Sequence, residues 1–272
     1  MASNSPFSIL INSSDGFEDC WQPFFVLFNK YWPDCDAPIL LNTERKNWAI
    51  EELSVRCTQV ALRLTKMKRL TWSECLMAAL DQVETPLVLY LQEDYFLEQS
   101  VDVSLVKDMA NLMISDPSVK HIGLTHFGSC GPFSPASDPR LWKISPKSKY
   151  LISTQAGLWK VDTLKAYIRA WENGWMFEIF GTRRARRKGE LFLTLNRDVY
   201  NPENKLAIQY LHTGIIKGQW HKGIQSVFNR HGIVVDFGRR GFYQPRAAFF
   251  RRFDLLTKLV GRPIDAVRSI FG

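Results

Sequence analysis

The stretch Thr85 to Leu97, TPLVLYLQEDYFL, constrains the fold of this chain more than any other. Leu87 to Leu91 is a short, continuous apolar run with Pro86 in front and carboxylates behind, the pattern of a strand buried on both faces. Strands of that kind belong to sheets whose parallel neighbours are joined by helices. Glu93 and Asp94 then stand at the C-terminal end of the strand, where open α/β sheets bind ligands. Successive residues of an extended strand point to opposite faces, so the two acids can share a divalent cation only if the chain has already turned. Tyr95 and Phe96 mark the chain leaving the sheet, and the plain alternative is a strand end with solvated acids.

The preceding segments supply partners for that strand. Phe7–Ile11 reads as a buried strand that runs into the polar turn Asn12-Ser13-Ser14-Asp15-Gly16. Phe17–Tyr31 carries Trp21, Phe24, Phe25 and Phe28 at helical spacing and stops at Pro33. Pro38–Leu41 predicts a second strand ending at Asn42-Thr43-Glu44, Val60–Leu64 a third, and Trp72–Val83 a helix with Ser73 as the N-cap candidate. This order implies a mostly parallel sheet with right-handed crossovers and a crevice at its strand ends. Beyond the acids, Val103–Ile114 reads as a helix, His121–Thr125 as a strand and the proline-rich Phe127–Pro146 as a loop. Tyr150–Thr154 predicts a strand, Gln155–Trp159 a linker, Val161–Trp171 a helix, Arg183–Lys188 a solvated basic loop and Ile208–Leu211 a late strand. No internal repeat or low-complexity tract interrupts the chain.

With 272 residues, 46% of them apolar, the chain can bury one large α/β core. No run approaches the roughly 18 apolar residues of a membrane-spanning helix, and MASNSPFSIL lacks the basic start of a signal peptide, so a cytoplasmic protein is expected. Five cysteines, widely spaced and odd in number, predict reduced thiols and neither a disulfide framework nor a zinc site. The net charge of +8 is uneven: Arg239–Gly272 holds eight Arg or Lys against two Asp. We therefore divide the chain into a domain over 1–240 and a basic amphipathic helical tail over 241–272. In the tail, Phe249, Phe253, Leu256 and Val260 form one helical stripe, and Ile264, Val267 and Phe271 continue it after Pro263. Such a tail either closes the core or lies peripherally on the cytoplasmic face of an anionic membrane.

The runs DCWQPFFVLFNKYWPDCDAPILLNTE, TWSECLMAALDQVETPLVLYLQEDYFL, ISTQAGLWK and WMFEIFG, in that order, resemble bacterial-type glycosyltransferases of the GT-A fold that build surface polysaccharides such as lipopolysaccharide and capsule. The resemblance spans Phe7 to Trp220. It implies an α/β, Rossmann-like, mostly parallel sheet flanked by helices, a nucleotide-sugar donor over the first strands, and a glycan or lipid-linked acceptor. It also implies an Asp-x-Asp motif that holds a divalent metal, Mn or Mg, on the diphosphate. Asp94 matches the last position of that motif, but Gln92 stands at the first, so either Glu93 substitutes as ligand, with His212 the further candidate, or metal dependence is weakened. Asn12, Asp15 and Glu44 end strands where this fold reads base and ribose, although turn chemistry alone explains Asn and Asp there.

Sugar transfer requires neutralised phosphates, here by a metal on Asp94 or by Lys217, His212 and the arginine run, and a base for the acceptor hydroxyl. Glu178 is the candidate base. Trp175 precedes it by three residues, so on a helix the indole would share its face and stack on a sugar ring. One base without a second nearby nucleophile implies inversion at the anomeric carbon. Trp175 and Phe177 also suit a core, His212 a turn, and Lys217 between Gly214 and Gly218 any mobile loop.

Two other function classes use the same features. The basic tail, the arginine run and 13% aromatic residues suit a noncatalytic nucleic-acid or anionic-membrane binder, but the aromatics lie inside apolar segments, which argues against nucleic acid. A metal-dependent nucleotidyltransferase would use the acids, yet SSDGFED has only one glycine where a phosphate loop needs several.

Overall fold

In a computed structural model, which describes residues 5–65, 69–245 and 261–271, the sheet is built around the predicted apolar strand. β1 (Phe7–Asn12), β2 (Ile39–Leu41), β3 (Val55–Cys57) and β4 (Leu87–Gln92) lie in the order β3-β2-β1-β4, all parallel. The sheet continues past β4 through β8 (Gly157–Lys160), β5 (Val119–Gly123), β9 (Leu191–Leu195), β7 (Leu141–Ile144) and β6 (Phe133–Pro135). Of these nine strands only β7 and β8 run against the rest. The chain thus folds around an α/β sheet, mostly parallel and flanked by helices.

Alternation along the central strands sets the two layers. Ile9, Ile11, Leu89 and Leu91 face α1 (Glu18–Tyr31) and α4 (Val103–Ser115), in one core with Phe24, Phe25, Phe28, Met109 and Met113. Leu10, Val88 and Tyr90 face the other way. They meet α3 (Trp72–Leu80), α5 (Val161–Tyr167) and α6 (Gly174–Lys188) through Leu76, Ala79, Leu164, Tyr167 and Phe177. A strand covered on both sides has no room for polar residues, which is why β4 reads as one uninterrupted apolar run.

Local chemistry corrects several boundaries. Thr71, not Ser73, caps α3: its hydroxyl accepts from Glu74 N at 3.0 Å, while Glu74 accepts from Thr71 N at 2.8 Å, a reciprocal capping box. Val60–Arg63 is a short helix, α2, and the third strand is the preceding Val55–Cys57. Phe127–Pro146, expected as loop, contains the β6–β7 hairpin. Tyr150–Thr154 is irregular, and the expected linker supplies most of β8. The glycine there marks a close approach, because a Cβ on Gly157 would lie 2.5 Å from His121 Nε2 and 3.0 Å from the Ile122 carbonyl. Ile208–Leu211 forms no strand, only an isolated bridge from Tyr210 to Leu97.

The expected solvated loop at Arg183–Lys188 is the end of α6. Arg186, Arg187 and Lys188 sit in its last turn, where cations meet the negative end of the helix dipole, and Gly189 closes it at φ 65°. Arg184 turns inward, 4% exposed, and binds the fully buried Glu172 through two hydrogen bonds of 2.8 and 2.6 Å.

Past the sheet come a two-residue hairpin, β10 (Ile215–Ile216) with β11 (Gln219–Trp220), then α7 (Ile224–Arg230). Arg240 ties this region back to the start of α1, pairing with Asp19 and lying over the Phe17 ring. Of the expected tail, Phe249, Phe253, Leu256 and Val260 lie outside the described residues. Pro263–Phe271 is helical, α8, with proline at the first position, where its missing N–H costs nothing. No helix among the described residues is long and apolar enough to cross a membrane.

Candidate active site

The strand order reverses between β1 and β4, so a crevice opens beyond the paired ends Asn12 and Gln92. A cleft of about 530 Å³ lies there, lined by Gln92, Tyr95, Tyr150, Thr154, Glu178 and Lys217 among others. His212, Thr213 and Ile215 complete one wall, and Ser153 and Gln155 another.

Glu178 comes from the second turn of α6, whose start is fixed by Asn173 Oδ1 accepting from Met176 N at 3.1 Å. Its Oε1 accepts from Thr154 N at 2.8 Å, from Thr154 Oγ1 at 2.9 Å and from Ser153 Oγ at 3.4 Å. All the carboxylate's hydrogen bonds among the described residues fall on that one oxygen, so Oε2 keeps its lone pairs for whatever enters the cleft. Burial pushes the Glu178 carboxyl above its ordinary range, opposed by the Thr154 and Ser153 hydrogen bonds and by the charge of His212. A carboxylate raised in this way is a better proton acceptor near neutral pH. Among the described residues no other acid lines the cleft.

Thr154 is held from the opposite side as well. Its carbonyl accepts from Tyr95 OH at 2.9 Å and from Gln92 Nε2 at 3.4 Å. Gln155 donates to Tyr95 OH at 3.1 Å and accepts from Tyr210 OH at 3.0 Å, while Tyr210 OH accepts from Ala156 N at 3.0 Å. The Tyr95 and Tyr210 rings stack 4.5 Å apart beneath this network. Sequence reasoning passed over all four residues, treating 155–159 as a linker. The one available signal was the run of short polar side chains, Ser153-Thr154-Gln155, between two apolar segments.

The other predicted residues distribute unevenly. Lys217 and His212 line the cleft with Glu178. Lys217 is the first central residue of the β10–β11 turn, at φ 51°, with Gly218 at φ 82° after it. Two positive φ values in succession are what a two-residue hairpin of this twist requires, and a lysine in the first position is the less favourable choice. Trp175 does not line the cleft: with Ile179 it packs against Met176, Phe180 and Ala266, whereas Tyr150 does line it.

Asn12, Asp15 and Glu44 lie at the strand ends but are engaged within the protein. Asn12 Nδ2 donates to Tyr90 OH at 3.1 Å, and its Oδ1 accepts from Asn42 Nδ2 at 2.9 Å. Asp15 accepts from the backbone of Glu44, Arg45 and Lys46, while Glu44 Oε2 accepts from Asp15 N, a clasp joining the loops after β1 and β2.

The chain does turn after Gln92, with Tyr95 N donating to Gln92 O at 3.1 Å, yet Glu93 and Asp94 are buried and neither lines the cleft. The alternative of a strand end with solvated acids is therefore corrected. Its Oδ2 accepts from Thr213 Oγ1 and, at 3.0 Å, from Ile215 N. Its carbonyl accepts from Gly214 N at 2.9 Å, and a Cβ on Gly214 would collide with the Phe96 ring. Burial raises both carboxyls above their ordinary range, with the charge of Asp94 adding to the effect on Glu93.

A hard divalent cation takes six or more oxygen ligands; an all-protein site supplies most of them, whereas in a phosphate site one or two carboxylates suffice beside the substrate's phosphates and water. Asp94 Oδ1 is buried without a partner, but Oδ2 is committed, and no group of three His, Cys, Asp or Glu side chains among the described residues is placed to hold an ion. Asp94, Glu93 and His212 thus do not form a preassembled three-ligand metal site among the described residues. Asp94 instead anchors the wall that carries His212 and Lys217. Asp94→Ala is expected to lower stability by about 1–3 kcal/mol, as for a buried donor left unpaired, and to raise the donor KM more than it lowers kcat. Thermal melting and steady-state kinetics check it; an unchanged melt with lost kcat would move Asp94 into the chemistry.

No family model and no curated protein matches the chain. Among solved structures, a mycobacterial protein superposes with a TM-score of 0.47 at 12% identity, over 85% of this chain and 76% of that one. TarS from S. aureus gives 0.46 at 13% identity over 70% of this chain, and its 1–349 form gives 0.41 at 13% over the same share. The matches span 35% of the first TarS chain and 57% of the second. At these values the likeness concerns the fold only, and function rests on the chemistry of the cleft.

Proposed function

We propose that the chain is a glycosyltransferase that moves a sugar from a nucleotide-sugar donor to a hydroxyl of a glycan or lipid-linked glycan acceptor, with inversion. The observation that carries this reading is the Glu178 carboxylate, saturated on Oε1 and open on Oε2 in a cleft with no second acid among the described residues. In the proposed step, Glu178 Oε2 takes the proton of the acceptor hydroxyl as its oxygen attacks the anomeric carbon and the bond to the nucleoside diphosphate breaks. A retaining route through a covalent glycosyl-enzyme would spend Glu178 as the nucleophile and leave no carboxylate among the described lining residues to take the acceptor's proton. Thr154 positions the base, and Tyr150 offers a ring face for the sugar. His212 and Lys217 supply positive charge for the leaving diphosphate, the task a metal performs elsewhere.

Activity is therefore expected to survive chelation. Transfer assayed across a panel of nucleotide-sugars, with thermal shift to detect donor binding, tests the function itself. In the same assay, rates within about twofold with and without EDTA are expected, because no step depends on a Lewis-acid ion. A rate restored only by Mn²⁺ or Mg²⁺ would reinstate the metal.

A further inference from the structure

α8 presents the wrong face for a helix that closes a core. Ala266 joins Met176 and Phe180 of α6, and Ser269 Oγ accepts from Trp171 Nε1 at 2.9 Å, so the small and polar residues point inward. Ile264, Val267 and Ile270 point outward, 68%, 55% and 43% exposed. A helix on a water-facing surface shows the opposite pattern. Alongside it runs a groove of about 340 Å³, bordered by Arg69, Thr71, Trp171 and Arg268. Glu74, also on this groove, has its carboxylate turned to the α3 cap, and Asp265 lies beside Arg262 at 3.8 Å.

We propose that α8 and the groove between Arg69 and Arg268 form a docking surface for an anionic phospholipid bilayer, the three aliphatic side chains entering the headgroup boundary and the two arginines meeting lipid phosphates. Charge complementarity selects this occupant: cations flank the exposed apolar face, on a protein of net charge +8. α6 sets the depth of the cleft. It carries Glu178 into the cleft and Met176 and Phe180 against α8. Both α6 and α8 lie between the cleft and the bilayer, and a helix with its side chains is about 10–12 Å across, so the base would sit about two helix diameters from the bilayer, within reach of a glycan that projects from a lipid anchor. Taken with the glycosyl-transfer reading, on which this last point rests, that distance suits an acceptor held in the same membrane.

The test is co-sedimentation of the full chain with vesicles of phosphatidylcholine alone or mixed with phosphatidylglycerol, at low salt. Binding to the mixed vesicles only is expected. The triple variant Ile264→Ser/Val267→Ser/Ile270→Ser is expected to bind about tenfold more weakly or worse, and Arg69→Gln/Arg268→Gln to lose about fivefold per arginine. Both variants should keep the parental melting temperature and the rate of transfer to a soluble acceptor. A parent that ignores anionic vesicles, or binds neutral ones equally, overturns the proposal, as does a folded triple variant that binds like the parent. A parental dimer that the triple variant converts to monomer, without vesicle binding in either, overturns it in favour of a second copy. Should the triple variant fail to fold, the arginine pair decides, since undiminished binding there also overturns it. Vesicle binding without any transfer activity would remove the function proposed above and leave this surface standing.

Discussion

Replacing Glu178 by glutamine is expected to lower kcat by on the order of 10²-fold or more, with donor affinity within about twofold of the parent. The amide oxygen can still accept from Thr154 N and Thr154 Oγ1, so the geometry around Oε1 survives while the proton acceptor at Oε2 is lost. The pH profile separates this from a structural defect. Burial holds the Glu178 carboxyl above its ordinary range, so the base form appears only above that raised value, and the parental rate falls as pH drops through it. The glutamine variant should lack that acid limb. Stability moves the other way, because the folded chain holds this proton more tightly than the unfolded chain does. As pH rises from the ordinary carboxylate range through the raised value, the parent loses stability that the variant keeps. Weaker activity with equal or higher melting temperature at neutral pH is thus the expected signature, and loss of donor binding instead would place Glu178 on the donor side.

Arg184→Ala is expected to be the most destabilising single change near the site, by about 3–5 kcal/mol, because it leaves Glu172 charged, buried and alone. At about 2–4 °C per kcal/mol, this is a fall of roughly 10 °C in melting temperature. The lost guanidinium also donates to the Tyr167 carbonyl at 2.6 Å, so the α5–α6 junction loosens with it. Replacing both partners, Arg184→Met with Glu172→Leu, should cost clearly less, since no uncompensated charge remains. Equal losses in the single and double variants would show that packing rather than charge is at stake.

Both changes act through α6, and only part of that helix could be read in advance. The sequence singles out Glu178 as the candidate base, and the structure places it on the cleft wall. Trp175 was assigned to the same face, but helical spacing brings residues near one another without saying what each meets. The helix lies between two neighbours, so the carboxylate enters the cleft while the indole goes to the side that α8 covers. The arginine run was read as solvated because four arginines in six residues are seldom buried. Arg184 is buried because Glu172, twelve residues earlier and across a turn, meets it.

What the sequence determined by itself was the central part of the sheet. β1, β2 and β4 announce themselves as unbroken apolar runs because burial on both faces excludes polar residues, and α1 and α4 by apolar residues at helical spacing. Tertiary structure alone decided the partners of the polar residues. Asp94 reads in sequence as a metal ligand and in space as the anchor of Thr213 and Ile215, 119 and 121 residues away. Asn12, Asp15 and Glu44 read as ligand contacts and close on one another or on Tyr90 and Asn42. Apolar burial repeats with the period of its own helix or strand and so is written locally. A hydrogen bond between distant residues has no period, and its partner is known only once the chain has folded.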